Sequence, residues 1–304
     1  MYRIVIIILL FSLCINEYAQ LIPLSDHFVH HSLAINPAFS GSRDALETTV
    51  LYRAANTGFE GSPITLSFSA HAPLNREKVG VGFSLLNDKI GVSNQTSFMG
   101  NYAYRMNLGN GKIAFGFGIG MTVCKTAWNK LAAADPDDHL LNNELTTGVV
   151  PDFSTGVYYN SRNYYIGISI PFFLTHVYQP GSKRYATMND FDHYNYHLMA
   201  GYTATLTQKL TFYPSVLVKY QNKGTVQADI YTQLIYNDRI WMGMLYRTKQ
   251  SLAAILQCQV NRQLRVAYTY GFGIGKNSFI FNTHEIMLNY IFEYKADIIS
   301  PRQF

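Results

Sequence analysis

Among the chain's nine histidines, His193 and His197 stand four residues apart, a spacing at which one helix face grips a single metal ion. Tyr194, Tyr196 and Leu198 alternate against His193, Asn195 and His197, however, so the stretch reads as a strand. Four residues of strand cover about 13 Å, too far for two ligands that each sit about 2 Å from zinc. Both histidines are therefore expected as polar residues on an inner face. Gly116-x-Gly118-x-Gly120 and Gly271-x-Gly273-x-Gly275 have the glycine density of phosphate loops. Neither opens a helix, and glycine at every second strand position points instead to close packing. Asp135-Pro136-Asp137-Asp138 offers oxygen ligands for calcium but lacks the glycine and distal glutamate of an EF-hand, so a solvated loop is expected. Ser69 and His71 share a face, and His284 stands beside Glu285, which together supply the groups of a nucleophile, base and acid. No G-x-S-x-G elbow accompanies them. Because a triad is defined by geometry and not by chain order, a hydrolase stays open as the enzymatic alternative. No catalytic, cofactor-binding or metal-ligating residue is assigned from the sequence, and no cofactor is expected.

The elements holding these residues are set by composition and pattern. The 304 residues are 48% hydrophobic and 14% aromatic but only 14% charged, against about 25% charged in an average globular chain. Disorder needs high charge and few aromatics, so it is excluded. A polytopic helical membrane protein is excluded too, because no stretch beyond the leader approaches the ~20 apolar residues of a spanning helix. The net charge of +5 is scattered, with no run of five or more like charges, so no nucleic-acid partner is expected. Met1-Tyr2-Arg3, the apolar run Ile4 to Ile15 and Asn16-Glu17-Tyr18-Ala19 read as a secretory signal over residues 1–19.

From about residue 45 the chain alternates with period 2. Leu264, Val266, Tyr268, Tyr270 and Phe272 oppose Arg265, Ala267, Thr269 and Gly271; Ile113, Phe115, Phe117 and Ile119 oppose Ala114, Gly116 and Gly118. About fourteen such segments of roughly ten residues occur, the length a tilted membrane-spanning strand needs. They start near residues 45, 62, 77, 93, 111, 151, 163, 193, 210, 225, 239, 250, 262 and 284. A soluble sandwich would place Lys, Glu and Asp on its polar faces. Here those faces carry Gly, Ser, Thr, Asn and Gln, while Tyr52, Tyr102, Tyr104, Tyr159, Tyr220, Tyr236, Tyr246 and Tyr294 fit interfacial girdles. The fold class expected is all-β: a transmembrane antiparallel outer-membrane β-barrel of about fourteen strands over residues 45–304. Short links follow even-numbered strands, whereas the long links 127–150 and 173–192 follow strands 5 and 7, so both termini are expected in the periplasm. Parity points Glu47, Arg53, Arg105, Lys219, Asp229, Arg247, Arg265, Glu285 and Glu293 into the lumen, a mixture suited to internal ion pairs. Residues 20–44 show no alternation and form a separate N-terminal segment expected in or under the lumen from the periplasmic side. The same parity turns Cys124 inward and Cys258 outward, so no disulfide is expected.

Asn36-Pro37-Ala38-Phe39-Ser40-Gly41-Ser42-Arg43 resembles the PorP/SprF family of the Bacteroidota type IX secretion and gliding apparatus. The resemblance continues through Tyr52-Arg53, Gly58-Phe59-Glu60-Gly61-Ser62-Pro63, the stretch around His71 and Pro73, and Asn87-Asp88-Lys89-Ile90-Gly91. It extends to Tyr102-Ala103-Tyr104, Pro151-Asp152-Phe153, Gly167-Ile168-Ser169, Tyr246-Arg247 and Thr283-His284-Glu285. Ala54-Ala55-Asn56-Thr57 stands where the family commonly carries tryptophan. The resemblance implies a non-enzymatic outer-membrane barrel that assists secretion or surface attachment of an adhesin-like cargo protein. Its implied partners are membrane lipid, type IX secretion components and that cargo. A fatty-acid-channel-like substrate channel is the alternative, and a barrel hydrolase a further one.

Overall fold

The computed structural model describes residues 25–74, 78–128, 146–179, 184–189, 191–221, 226–248, 250–274 and 282–292. The leader, residues 20–24, Asp135 to Asp138, Gly275, Glu293 and Tyr294 lie outside the described residues. The strands are β1 (Leu46–Ala55), β2 (Ile64–Leu74), β3 (Val79–Ile90), β4 (Ser93–Leu108), β5 (Gly111–Thr126), β6 (Thr146–Ser161) and β7 (Tyr164–Ile170). A hairpin of β8 (Thr175–Gln179) and β9 (Arg184–Met188) follows. Then come β10 (Asn195–Tyr202), the two-residue β11 (Ala204–Thr205), β12 (Leu210–Gln221), β13 (Val226–Tyr236), β14 (Ile240–Arg247), β15 (Ser251–Gln259), β16 (Leu264–Gly273) and β17 (Asn282–Phe292).

Every pairing is antiparallel between chain neighbours around the sheet, and two further pairings close it. Leu46 to Ala55 of β1 pairs with Phe292 to Thr283 of β17, and β10 bridges β7 and β12. Fourteen strands form the closed ring, with β11 a short continuation beside β12. Closure leaves no free edge, the condition under which strands cross a bilayer. The outward parity is apolar and uncovered: Ile119 is 58% exposed, Met244 59% and Val149 62%. In water such a surface would drive aggregation; in lipid it is the correct solvent match.

The expected all-β barrel is thus the fold, with adjustments where the pattern breaks. β6 starts at Thr146, earlier than alternation suggests, because adjacent Val149 and Val150 and then Pro151 interrupt the period while pairing with β5 continues. The long link after β5 shortens accordingly. The link after β7 holds the β8–β9 hairpin, and Phe191–His193 is a single 3-10 turn, so His193 precedes β10 instead of lying on a strand. Links after β2, β4, β6, β11, β13 and β15 gather at one end of the barrel, with the start of β1 and the end of β17. The links after β5, β7 and β16 gather at the other. These are the short-turn and the long-link ends of the barrel.

Candidate functional site

The wall encloses residues 25–44, which form a plug. Asp26, His27, Phe28, Val29, His31, Ser32, Leu33, Ile35, Asn36, Ala38, Phe39, Ser40 and Ser42 are all buried. Two 3-10 turns, Ser32–Ala34 and Pro37–Phe39, shape the segment. At the second, the Asn36 side chain caps the turn by accepting from the Ala38 N–H at 2.9 Å. The Asn36 amide also donates to the carbonyls of Val157 at 3.0 Å and Ile168 at 3.3 Å, tying the turn to β6 and β7. Ser169 Oγ donates to the Ile35 carbonyl at 2.7 Å. Phe28 meets Tyr231 edge-on, and Phe39 packs against both His71 and Tyr158.

The wall is hollowed to admit this backbone. A Cβ at Gly116 would lie 2.0 Å from the Ala38 nitrogen, one at Gly80 1.9 Å from the Ser40 carbonyl oxygen, and one at Gly156 2.2 Å from Asn36 Oδ1. Gly41, at φ +68, itself presses against Gly80 and Pro73. Gly116 accordingly serves packing, the role its alternating spacing suggested.

Charge pins both ends of the plug. Ser25 Oγ donates to Glu285 at 2.8 Å, and the Asp26 N–H donates to both oxygens of that carboxylate at 3.1 Å. Arg53 holds Glu285 at 2.9 Å. Asp26 pairs with Arg247 at 3.0 Å; Arg247 and Lys219 each reach Asp229 at 2.9 Å. Near the other end, Arg43 pairs with Glu47 at 3.3 Å, and Glu47 also receives His71 at 3.3 Å and Asn289 at 2.7 Å. Arg105 donates to the Gly41 carbonyl, and Arg105 and Lys112 flank Asp44 at 4.0 and 3.9 Å. Glu285 and Arg53 lie near the long-link ends of their strands and Lys112 near the short-turn end of β5. The plug therefore runs along the lumen from the long-link half at Ser25 to the short-turn end at Asp44. Burial holds the imidazoles of His27 and His31 down to about 4, so both are neutral near pH 7. His27 is bonded to Thr269 at 2.7 Å and His31 to Ser67 at 3.1 Å.

The remaining motif residues divide by place. Gly58, Phe59, Gly61 and Pro63 lie in the link between β1 and β2, where the Gly91 N–H donates to the Gly61 carbonyl at 2.8 Å and Phe59 is exposed. Asp88 accepts from Thr65 at 2.7 Å. Tyr52 faces outward, as does His284, whose Nδ1 bonds Tyr268 Oη at 2.7 Å against the Tyr270 ring. His284 is thus parted from Glu285, which faces the lumen. His71 takes Glu47 as its acid, and His197 is buried inside the wall. Arg265 lies over Trp241 at 4.3 Å. Cys124 is buried, Cys258 exposed, and both are free thiols. Among the described residues no group of three or more His, Cys, Asp or Glu converges as a metal site.

Asp26 and Ser25, and the wall glycines Gly80 and Gly156, were not singled out by sequence reasoning. The signal for the glycines was present, since Gly80 and Gly82 alternate with Val79 and Val81 as Gly116 and Gly118 do with Phe115 and Phe117. Two hollows flank the plug: one of about 60 Å³ beside Ser25 and Arg53, and one of about 1620 Å³ open at the short-turn end.

The chain matches a family described as type IX secretion system membrane protein PorP/SprF over residues 17–290. No curated protein sequence matches it. Among solved structures it is similar to the CymD monoaromatic hydrocarbon channel, with a TM-score of 0.56 at 10% identity, covering 87% of this chain and 93% of that one. A Pseudomonas aeruginosa FadL homologue gives a TM-score of 0.50 at 11% identity, covering 86% and 94%. The Acinetobacter baumannii outer membrane protein Omp33 gives 0.50 at 7%, covering 82% and 98%. At these identities the likeness is one of fold: an outer-membrane barrel.

Proposed function

Since the chain belongs to the PorP/SprF family of type IX secretion system membrane proteins, we propose that it is a non-enzymatic outer-membrane barrel assisting secretion or surface attachment of an adhesin-like cargo protein. The observation that carries this reading is the filled lumen. The plug is buried along its length, capped at Asn36 and ion-paired at both ends, which supports a scaffold and argues against a wide pore. The short-turn end is assigned to the periplasm and the long-link end to the outside, following the usual asymmetry of such barrels. The outer links, including the β8–β9 hairpin, are then the surface offered to cargo, and the short-turn end the surface offered to secretion components.

Deleting the gene and comparing surface proteomes tests the proposal. Loss of one large surface protein identifies a dedicated partner, loss of all type IX cargo identifies a core component, and an unchanged surface rejects both. A substrate channel is the second reading, favoured by the large cavity at the short-turn end. It requires a continuous path, so large steady conductance by the purified full-length protein in planar bilayers would replace the scaffold with a channel.

A further inference from the structure

We propose that the cavity at the short-turn end is a binding site for an acidic peptide segment of a partner protein. At about 1620 Å³ it exceeds a small-molecule site, which usually measures about 300–1000 Å³. Among the described residues, its lining carries six cations, Arg43, Arg162, Lys209, Arg239, Arg262 and Arg265, against two carboxylates, Asp44 and Asp238. Asp44 is already flanked by Arg105 and Lys112, and Arg43 is paired with Glu47, which leaves Arg162, Lys209, Arg239, Arg262 and Arg265 against Asp238. A cleft lined by one sign of charge between low-dielectric walls concentrates the opposite charge.

The inner end adds a second, independent observation. Ser42 and the half-buried His30 stand on the lining, and just behind its surface Ser42 Oγ and His30 Nε2 are buried with no hydrogen-bond partner. Each such orphan costs folding free energy that a ligand can return. Beside them the Arg265 guanidinium lies 4.3 Å from the Trp241 ring centre, its Nε donating to Gln259 at 3.1 Å and one terminal nitrogen donating to His30 Nδ1 at 3.4 Å. The remaining terminal N–H groups of Arg265, the Ser42 hydroxyl and the Nε2–H that His30 carries while its Nδ1 accepts from Arg265 ask together for a group that only accepts, which is a carboxylate. Tyr158 and Tyr213 on the lining suit aromatic or apolar side chains between the acids. The site does not depend on the secretion role, because it is argued from the cavity alone and its test uses purified protein.

The probe is a fluorescein-labelled peptide of alternating Glu and Tyr, with Gln–Tyr and Lys–Tyr counterparts, titrated by anisotropy into the full-length protein in detergent. Binding of the acidic probe alone is expected, weakening as salt rises. Arg265→Gln should weaken it about tenfold or more, the loss expected for a hydrogen bond to a charged group. Arg239→Gln with Arg262→Gln, both exposed at the rim and harmless to folding, should slow association. Equal binding of the Gln–Tyr probe, or indifference to both sets of variants, overturns the proposal. Displacement of the probe by anionic phosphatidylglycerol vesicles but not by unlabelled acidic peptide would make the ligand a lipid headgroup and also overturn it. So would binding that appears only after residues 293–304 are removed, which would make that tail the occupant.

Discussion

Gly116→Ala adds one methyl group to the lumen face of β5 and should loosen the plug without harming the wall. The new Cβ would lie 2.0 Å from the Ala38 nitrogen, 2.4 Å from the Ala38 Cα and 2.5 Å from the Pro37 carbonyl carbon. All three are backbone atoms, so no side-chain rotation relieves the clash. The plug must retreat by more than 1 Å to reach ordinary contact distance, yet Asn36 anchors that same turn to Val157 and Ile168. Overpacking of this kind costs about 2 to 3 kcal/mol, which raises the ratio of undocked to docked plug about 30- to 140-fold. Trypsin cleavage after Arg43 reads that ratio, because slow cleavage of a transiently open segment follows its population. Gly100→Ala is the control. Its Cβ would face outward and meet only the Ile119 carbonyl oxygen at 3.7 Å, an ordinary contact. Both variants should keep the heat-modifiable electrophoretic shift of a folded barrel. If cleavage in Gly116→Ala stays at the wild-type rate while the barrel is folded, the seating of Ala38 on β5 is wrong.

Asp26→Asn removes a carboxylate from Arg247 but leaves that cation with Asp229. It should free the plug by about 3 kcal/mol, near the lower limit for breaking a buried pair, read as roughly hundredfold faster cleavage after Arg43 with an intact barrel. Acidification should act the same way. His27 faces Asp26, His31 and Thr269, and His31 faces Glu47, His71 and Ser67; docked, both titrate near 4 against about 6.5 when solvated. The undocked form therefore binds more protons at these two histidines between those values, so their share of the docking energy is complete above pH 6.5 and falls as pH drops toward 4. At pH 5 the loss is about 2 kcal/mol per histidine, and His27→Gln with His31→Gln should flatten the pH dependence of cleavage. The thiols give a test of the wall itself: in protein prepared without residues 1–19, and so without Cys14, a lipid-soluble maleimide should label Cys258 and spare Cys124, adding one label to the intact mass. Two labels, or none, would contradict the assigned faces.

The barrel was legible because a strand in lipid must repeat its apolar side chain every second residue. Arg53, Arg247 and Glu285 could be placed on the inner face by parity alone. Parity says which face a residue takes, but not what it meets there. Asp26 is separated from Glu285 by 259 residues, and its meeting with Arg247 depends on how a non-repetitive segment lies across the lumen. The β8–β9 hairpin escaped notice because its strands are only five residues each and pair with each other in a separate sheet, where no lipid enforces alternation. His284 and Glu285, adjacent in sequence and jointly suggestive of catalysis, are divided by the geometry that makes the strand: one enters the aromatic belt, the other the lumen.

Plug and wall form one electrostatic unit, and that bears on how the barrel can open. Arg247 has Asp229 on the wall and Asp26 on the plug; Glu285 has Arg53 on the wall and the Asp26 N–H on the plug. At the other end Glu47 loses Arg43 when the plug leaves, and Arg105 loses the Gly41 carbonyl and Asp44. Breaking any one buried pair costs about 3–5 kcal/mol where no water replaces the partner, and undocking breaks pairs at both ends together. Spontaneous opening is therefore rare even if water enters and returns part of that cost. A ligand can open the barrel only to the extent that it binds the undocked state better. An acidic segment held in the short-turn cavity by His30 and Ser42 of the plug binds the docked state and should tighten the plug. Opening should instead follow from weakening the plug's own contacts with the wall, as protonation of His27 and His31 or loss of the Asp26–Arg247 pair brings about.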